Sequence, residues 1–174
     1  MATGEVIQLG NPVLRQVAKP VAIGQDPNLQ PFIDRLLMTV KESNGVGLAA
    51  PQMGASLCLL VVASRPNPRY PNAPEMEPIP MINPRIVSCS EEQVKGWEGC
   101  LSVPGIRGLV PRHQTVVVEY YDRAGQLIIQ ELTGFVARIF QHEYDHLQGL
   151  VFLDRVESTQ DLMTEHEYQQ QIIL

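Results

Sequence analysis

Residues 141–146 read Gln-His-Glu-Tyr-Asp-His. The spacing around them predicts a helix, and His142 and His146 stand about one helical turn apart, so both rings project from the same side. Two imidazoles so placed can bind one metal ion, with the intervening Glu143 beside the open coordination position. Phe135 and Ile139 continue the same stripe upstream, which puts the two histidines on the core-facing side. Neutral imidazoles there need partners. A metal ion supplies one; the alternative is a pair of buried histidines bonded to backbone. Asp145 reads as a structural carboxylate, or as one that orients a histidine ring from behind, rather than as a ligand.

Two histidines leave a third protein ligand to find. Cys100 lies in Glu98-Gly-Cys-Leu-Ser102, shortly before Pro104. A thiolate there would complete a Cys-His-His set with one position open, the form that catalytic sites take; a plain buried cysteine is the other reading. A further segment, Gly45-Val-Gly-Leu-Ala-Ala-Pro-Gln52, lacks the lysine and the spacing of a phosphate-binding loop. By itself it would be a helix cap followed by a tight loop. The amide NH2 of Gln52 is a neutral donor that could face a developing oxyanion.

Elements must position these residues. Leu29, Phe32, Ile33, Leu36, Leu37 and Val40 have helical spacing, and Asn44-Gly45 supplies a stop. Leu57–Ala63 is a short apolar run, expected as a buried strand. Six prolines between residues 66 and 80 mark 64–80 as a surface loop. Met81–Ser88 and Val94–Glu98 are weaker strand candidates. Thr115–Tyr121 and Leu127–Leu132 are β-rich, and Asp122–Gly125 between them reads as a hairpin turn. The helix carrying the histidines should run from Thr133 to Leu147, with Gly149 just beyond. Ser158 with Asp161 is a capping signal for a short C-terminal helix. The expected fold class is α+β: short antiparallel strands packed around a central metal-binding helix, with a C-terminal helix, in a single domain spanning 1–174.

Composition narrows the function. The net charge of -6 gives no overall basic footprint for DNA, and no apolar run approaches membrane-spanning length. Three cysteines do not form a disulfide framework, so a reducing compartment is the simpler setting. The opening residues, Met1–Glu5, have neither a signal-peptide core nor an Arg-rich transit segment, which points to the cytoplasm over an organelle. Cys58 is expected in the core and Cys89, His113 and His166 at the surface. Trp97 should pack beneath the strand carrying Glu98, and Glu98 reads equally as a partner behind a ligand or as an ordinary salt bridge. The acidic tail reads as a docking helix.

Taken together, the three motifs resemble those of the peptide deformylase family: Gly45–Gln52 for Gly-x-Gly-Leu-Ala-Ala-x-Gln, Glu98–Ser102 for Glu-Gly-Cys-x-Ser, and His142–Gly149 for His-Glu-x-Asp-His-Leu-x-Gly. The likeness extends from the Gly10–Leu14 stretch to about residue 156, with loop 64–80 and the tail matched poorly. It implies that Cys100, His142 and His146 bind one metal ion per chain, ferrous iron by family habit, with zinc or nickel able to substitute. It implies Glu143 as general acid and base, and Gln52 with the Leu101 backbone N–H as oxyanion donors. The reaction implied is removal of the formyl group from N-formylmethionyl nascent peptides, with formate released and an association with the ribosome in view. An apolar pocket for the methionine side chain is then required. Leu101, Phe135, Arg138 (through its alkyl stem) and Ile139 are candidates for its lining, although Phe135 and Ile139 would serve equally as core. Gly45, Val46 and Gly47 could pair with the peptide backbone as an added strand. A metalloendopeptidase and a catalytically silent scaffold are the rival readings.

Overall fold

The computed structural model describes residues 5–24 and 26–173. Residues 1–4, on which part of the targeting reading rests, and Leu174, the end of the expected domain, lie outside the described residues.

The first helix, α1 (Leu29–Glu42), buries Leu29, Ile33, Leu36 and Val40 along one side. It stops where Asn44 turns to a φ of 52°, the left-handed conformation that asparagine tolerates better than most residues. Strands β1 (Gly47–Ala49), β2 (Leu59–Val62), β3 (Ile79–Cys89), β6 (Thr115–Tyr121) and β7 (Leu127–Thr133) form one antiparallel sheet, in the order β1-β2-β3-β6-β7. Strands β4 (Gln93–Cys100), β5 (Val103–His113) and β8 (Leu162–Thr164) form a second, in the order β4-β5-β8.

The helix with the two histidines, α2 (Gly134–Leu147), packs against β1, β2, β6 and β7 of the large sheet and against β5 of the small one. The large sheet is thus covered on both faces. Leu59 and Val61 turn toward α1 and cluster with Ile33 and Leu36, whereas Leu60 and Val62 turn toward α2 and cluster with Ile139 and Phe140. This two-sided burial is why β2 reads as an unbroken apolar run instead of an alternating one. A smaller cluster, Cys100, Val103, Val110 and Phe152, fills the small sheet's inner face.

The α+β expectation holds, and several boundaries change. The proline-rich loop ends earlier than residue 80, because Ile79 and Pro80 already pair with Val62 and Val61 in the β2–β3 ladder. Pro80 sits near the start of its strand, where a missing N–H is tolerated. Strand β5 had no sequence expectation, since Pro104, Gly105, Gly108 and Pro111 break any alternation. Ser158 caps only the 3₁₀ turn Thr159–Asp161, accepting from the Gln160 N–H. The C-terminal helix, α3 (Glu165–Tyr168), starts later, and Thr164 caps it.

Candidate active site

Two elements bring the three expected ligands together. Cys100 ends β4, and His142 and His146 lie on α2. Their donor atoms fall within 4.8 Å of one another, and all three residues are buried. The Cys100 Sγ stands 3.3 Å from Nε2 of His146. Donors bonded to one metal at about 2.0–2.3 Å in a tetrahedron stand about 3.5 Å apart, so the spacing fits a single ion.

The ring of His142 is fixed from behind. Its Nδ1 lies 2.8 Å from the Glu98 carboxylate, which holds a proton on Nδ1 and leaves Nε2 as the nitrogen that would face a metal. Glu98 is held in turn by Arg112, whose Nε and Nη2 donate to it at 2.9 and 3.0 Å, and by Arg138 Nη1 at 2.9 Å. Arg112 continues to Asp145 at 2.7 Å, and Arg155 closes the chain on the other Asp145 oxygen at 2.7 Å. Glu98 therefore combines both roles considered for it, and Asp145 is structural.

The electrostatics suit a cation. Burial opposes charge on Glu98, but the neighbouring Arg112 and the hydrogen bonds from His142 and Arg112 outweigh it and hold the carboxyl far below the usual range. Burial likewise opposes a proton on His142, yet the bonds to Cys100 and Glu98 raise its pKa well above normal. His146 moves the opposite way, through burial and the positive charges of His142 and Arg112. A thiol and two imidazoles, one ring drawn toward positive charge by the anions around it, are the chemistry that a borderline-soft divalent metal matches.

Glu143 is 4% exposed, and its Oε2 is a buried oxygen with no partner among the described residues. Burial pushes its pKa up to about 7; the Glu98 charge adds to this, while His142 and Arg112 pull it down. A carboxyl poised there can take and return a proton near neutrality. Gly47 makes room for it: a Cβ on Gly47 would stand 2.6 Å from Glu143 Oε1 and 2.8 Å from an Ile139 methyl. Gln52 is 1% exposed and anchored by its carbonyl, which accepts from Ala49 N–H at 2.8 Å. Its Nε2 is thereby aimed at Cys100 Sγ (3.4 Å) and Ser102 Oγ (3.2 Å).

Gln52, Cys100, His142 and Glu143 line one pocket. Its wall includes every expected binding residue: Gly45, Val46, Gly47, Leu101, Phe135, Arg138 and Ile139. Phe135 and Ile139 thus serve as core and as wall at once. Arg138 departs from the expectation of an alkyl contribution only, because its guanidinium is tied to Glu98 and to the carbonyls of Val94, Gly96 and Val110. Trp97 also lines the pocket and meets Tyr168 edge to face, 5.9 Å between ring centroids. His113, expected at the surface, is half-buried, with Nδ1 2.6 Å from the Ser90 carbonyl. Cys58 is partly buried and Cys89 exposed. Sequence reasoning missed Arg112, Arg107, Ser102 and Tyr70. Only Ser102 stood inside a recognised motif; the others are single residues with no local pattern.

Comparison with known proteins agrees with the geometry. A family model described as polypeptide deformylase matches residues 3–161. Peptide deformylase 2 of a Nostoc species is 64% identical over 165 residues, covering 95% of this chain and 92% of that protein. Among solved structures, the class I type b peptide deformylase of Acinetobacter baumannii bound to Met-Ala-Ser superposes with a TM-score of 0.84 at 45% identity, over 87% of this chain and 96% of that one. The Thermotoga maritima peptide deformylase gives 0.80 at 37% identity, over 91% and 100%.

Proposed function

The chain belongs to the polypeptide deformylase family, and from that premise we propose how its residues divide the reaction. It is a metal-dependent hydrolase that removes the formyl group from the N-formylmethionyl end of nascent polypeptides and releases formate. The observation that carries the assignment of residues is the Cys100-His142-His146 cluster beside a buried Glu143, with Cys100, His142 and Glu143 all lining one pocket.

Cys100, His142 and His146 would hold the metal. When bound, it supplies Lewis-acid polarisation and makes water acidic enough to attack near neutral pH. Glu143 removes a proton from the attacking water at its unpartnered oxygen. The water oxygen bonds to the formyl carbon, and the carbonyl oxygen gains negative charge. The Gln52 Nε2 and the Leu101 backbone N–H donate to that oxygen, each worth about 3 kcal/mol in comparable sites. Glu143 then passes its proton to the amide nitrogen, the C–N bond breaks, and formate and a free amine leave. The methionine side chain lies against Leu101, Phe135, Ile139 and the stem of Arg138. The peptide backbone extends β1 along Gly45, Val46 and Gly47, the outer edge of the large sheet.

Ferrous iron is the resident metal in this reading, on the family's use of it, since the ligand set itself does not separate iron from zinc or nickel. Zinc or nickel, which bind such ligands more tightly than ferrous iron, would substitute for it. The enzyme is a single catalytic domain over 1–174, acting in the cytoplasm on chains at the ribosome. The tail after Arg155 has no Lys or Arg to offer an RNA phosphate. Among the described residues no helix is long and apolar enough to cross a membrane.

The test is Glu143→Gln, purified anaerobically and assayed for metal and for formate release from formyl-Met-Ala-Ser. One metal per chain with turnover reduced about 10²–10⁴-fold is expected. Near wild-type turnover in the metal-loaded variant would sink the assignment, and loss of the metal would make Glu143 a ligand instead.

A further inference from the structure

None of the residues given a role so far comes from the proline-rich loop or from the segment after residue 161, where the family match ends. The two are joined through one buried arginine. Beyond residue 161 the chain adds β8 to the edge of the small sheet, opposite Ile106, Arg107 and Gly108, and then turns into α3. That turn brings Glu165 and Tyr168 to Arg107. Arg107 is 0% exposed, a burial that a guanidinium sustains only when its donors are paired. Its Nε and Nη2 donate to the Glu165 carboxylate at 2.6 and 3.1 Å. Its Nη1 donates to the Tyr70 hydroxyl at 2.8 Å. The guanidinium carbon lies 4.5 Å from the ring centroid of Tyr168 and 5.1 Å from that of Tyr70.

Tyr70 belongs to the proline-rich loop and lines the pocket. Its hydroxyl also accepts from the Gly99 N–H at 3.3 Å, and its ring lies 5.0 Å from Phe135. Gly99, the residue before Cys100, leaves the space for this arrangement: a Cβ there would stand 3.0 Å from the Arg107 guanidinium. A tyrosine with its hydroxyl pinned at two points and its ring seated on another aromatic is a fixed wall. Two aromatic faces suit a narrow, polarisable thioether chain, and a wall that cannot retreat rejects wider side chains.

We propose that Tyr70 is a specificity-determining residue of the pocket, and that Arg107 and Glu165 are positioning residues through which the C-terminal segment holds it in place. The inference rests on reading this pocket as the site of the first side chain. Were Arg107 only an anchor for the tail, Glu165 and Tyr168 would suffice; instead one donor is directed onto the pocket wall.

The experiment measures kcat and KM on formyl-Met-Ala-Ser and formyl-Phe-Ala-Ser for the metal-loaded wild type, Tyr70→Ala, Tyr70→Phe, Glu165→Gln and Phe135→Ala. Tyr70→Ala is expected to lower the Met-over-Phe ratio of kcat/KM about tenfold. Tyr70→Phe, which keeps the ring and loses both hydroxyl contacts, and Glu165→Gln should each lower it about threefold, with KM for formyl-Met-Ala-Ser rising and kcat within about twofold. An unchanged ratio in both Tyr70 variants, with a changed one in Phe135→Ala, overturns the role of Tyr70. A Glu165→Gln that loses thermal stability while its ratio stays at the wild-type value overturns the positioning role. A ratio unmoved in Phe135→Ala and in both Tyr70 variants overturns the reading of the pocket itself, a result separable from the other two. Tyr70→Phe and Glu165→Gln keep the test decisive if Tyr70→Ala does not fold.

Discussion

Glu98 is the residue on which the buried charges converge. It bonds His142 on one side and Arg112 and Arg138 on the other, at 4% side-chain exposure. Removing one member of such a set leaves charges buried without a partner, which costs more than the pair itself contributes. Glu98→Gln should therefore destabilise the enzyme by about 3 kcal/mol or more. The same change frees the His142 ring to rotate, so metal affinity should fall about 10–100-fold. Urea unfolding and competition with a chelator read the two effects separately. A variant with wild-type metal affinity would show that His142 is oriented by something else. The sequence could not reveal this hub: Glu98 stood within a motif, but Arg112 and Arg138 reach it from a strand without alternation and from the middle of a helix. By contrast, the histidine pair was legible, because helical periodicity alone carries His142 and His146 to one face.

At the level of elements, the docking of the tail depends on pH in a definite direction. The Glu165 pKa is lowered, first by its hydrogen bond from Arg107, against the opposing effect of partial burial. A carboxyl with a depressed folded pKa contributes stability that is fully present above its unfolded value, about 4.3, and is lost as pH falls through the folded value. The α3 segment should thus loosen below about pH 4. The single tryptophan reports on it, since Trp97 rests edge-on against Tyr168. Trp97 emission is expected to shift as pH falls below the unfolded value of about 4.3, and Glu165→Gln should abolish that shift. Emission that titrates identically in the variant would assign the change to another group. The elements differed in how openly the sequence announced them. α1, β2 and the β6–β7 hairpin carry their own periodicity or turn residues. β5 does not: its order comes from pairing with β4 on one edge and β8 on the other, and from Gln141, whose side chain exchanges hydrogen bonds with the His113 backbone at 3.0 and 2.9 Å. Tertiary pairing of that kind leaves no local trace.

For the whole molecule, a metal held by Cys100 and by α2 would tie the small sheet to the helix that covers the large one. Binding to the folded state alone stabilises it by about 2.7 kcal/mol when free metal is 100 times the Kd. In a chain of this length that is about 5–10 °C in melting temperature. Removing the metal with a chelator should lower the midpoint by that amount and speed hydrogen exchange most in β4 and β5. An unchanged midpoint, or faster exchange confined to the large sheet, would contradict a bridging ion.

The division of the ligands between β4 and α2 also sets an order of events in time. Hairpins β4–β5 and β6–β7 join neighbouring stretches and can close early. Cys100 and His146 are 46 residues apart, and Gln52 and Cys100 are 48 apart. Contacts of that range form only after the intervening chain has been ordered. A complete Cys100-His142-His146 set would therefore exist only near the end of folding, and metal uptake there would be a late step, paced by chain closure and not by encounter with the ion. In a growing cell, the fraction of chains not yet closed would follow the rate of synthesis, and until loading the Cys100 thiol would stand without an ion to shield it from oxidation.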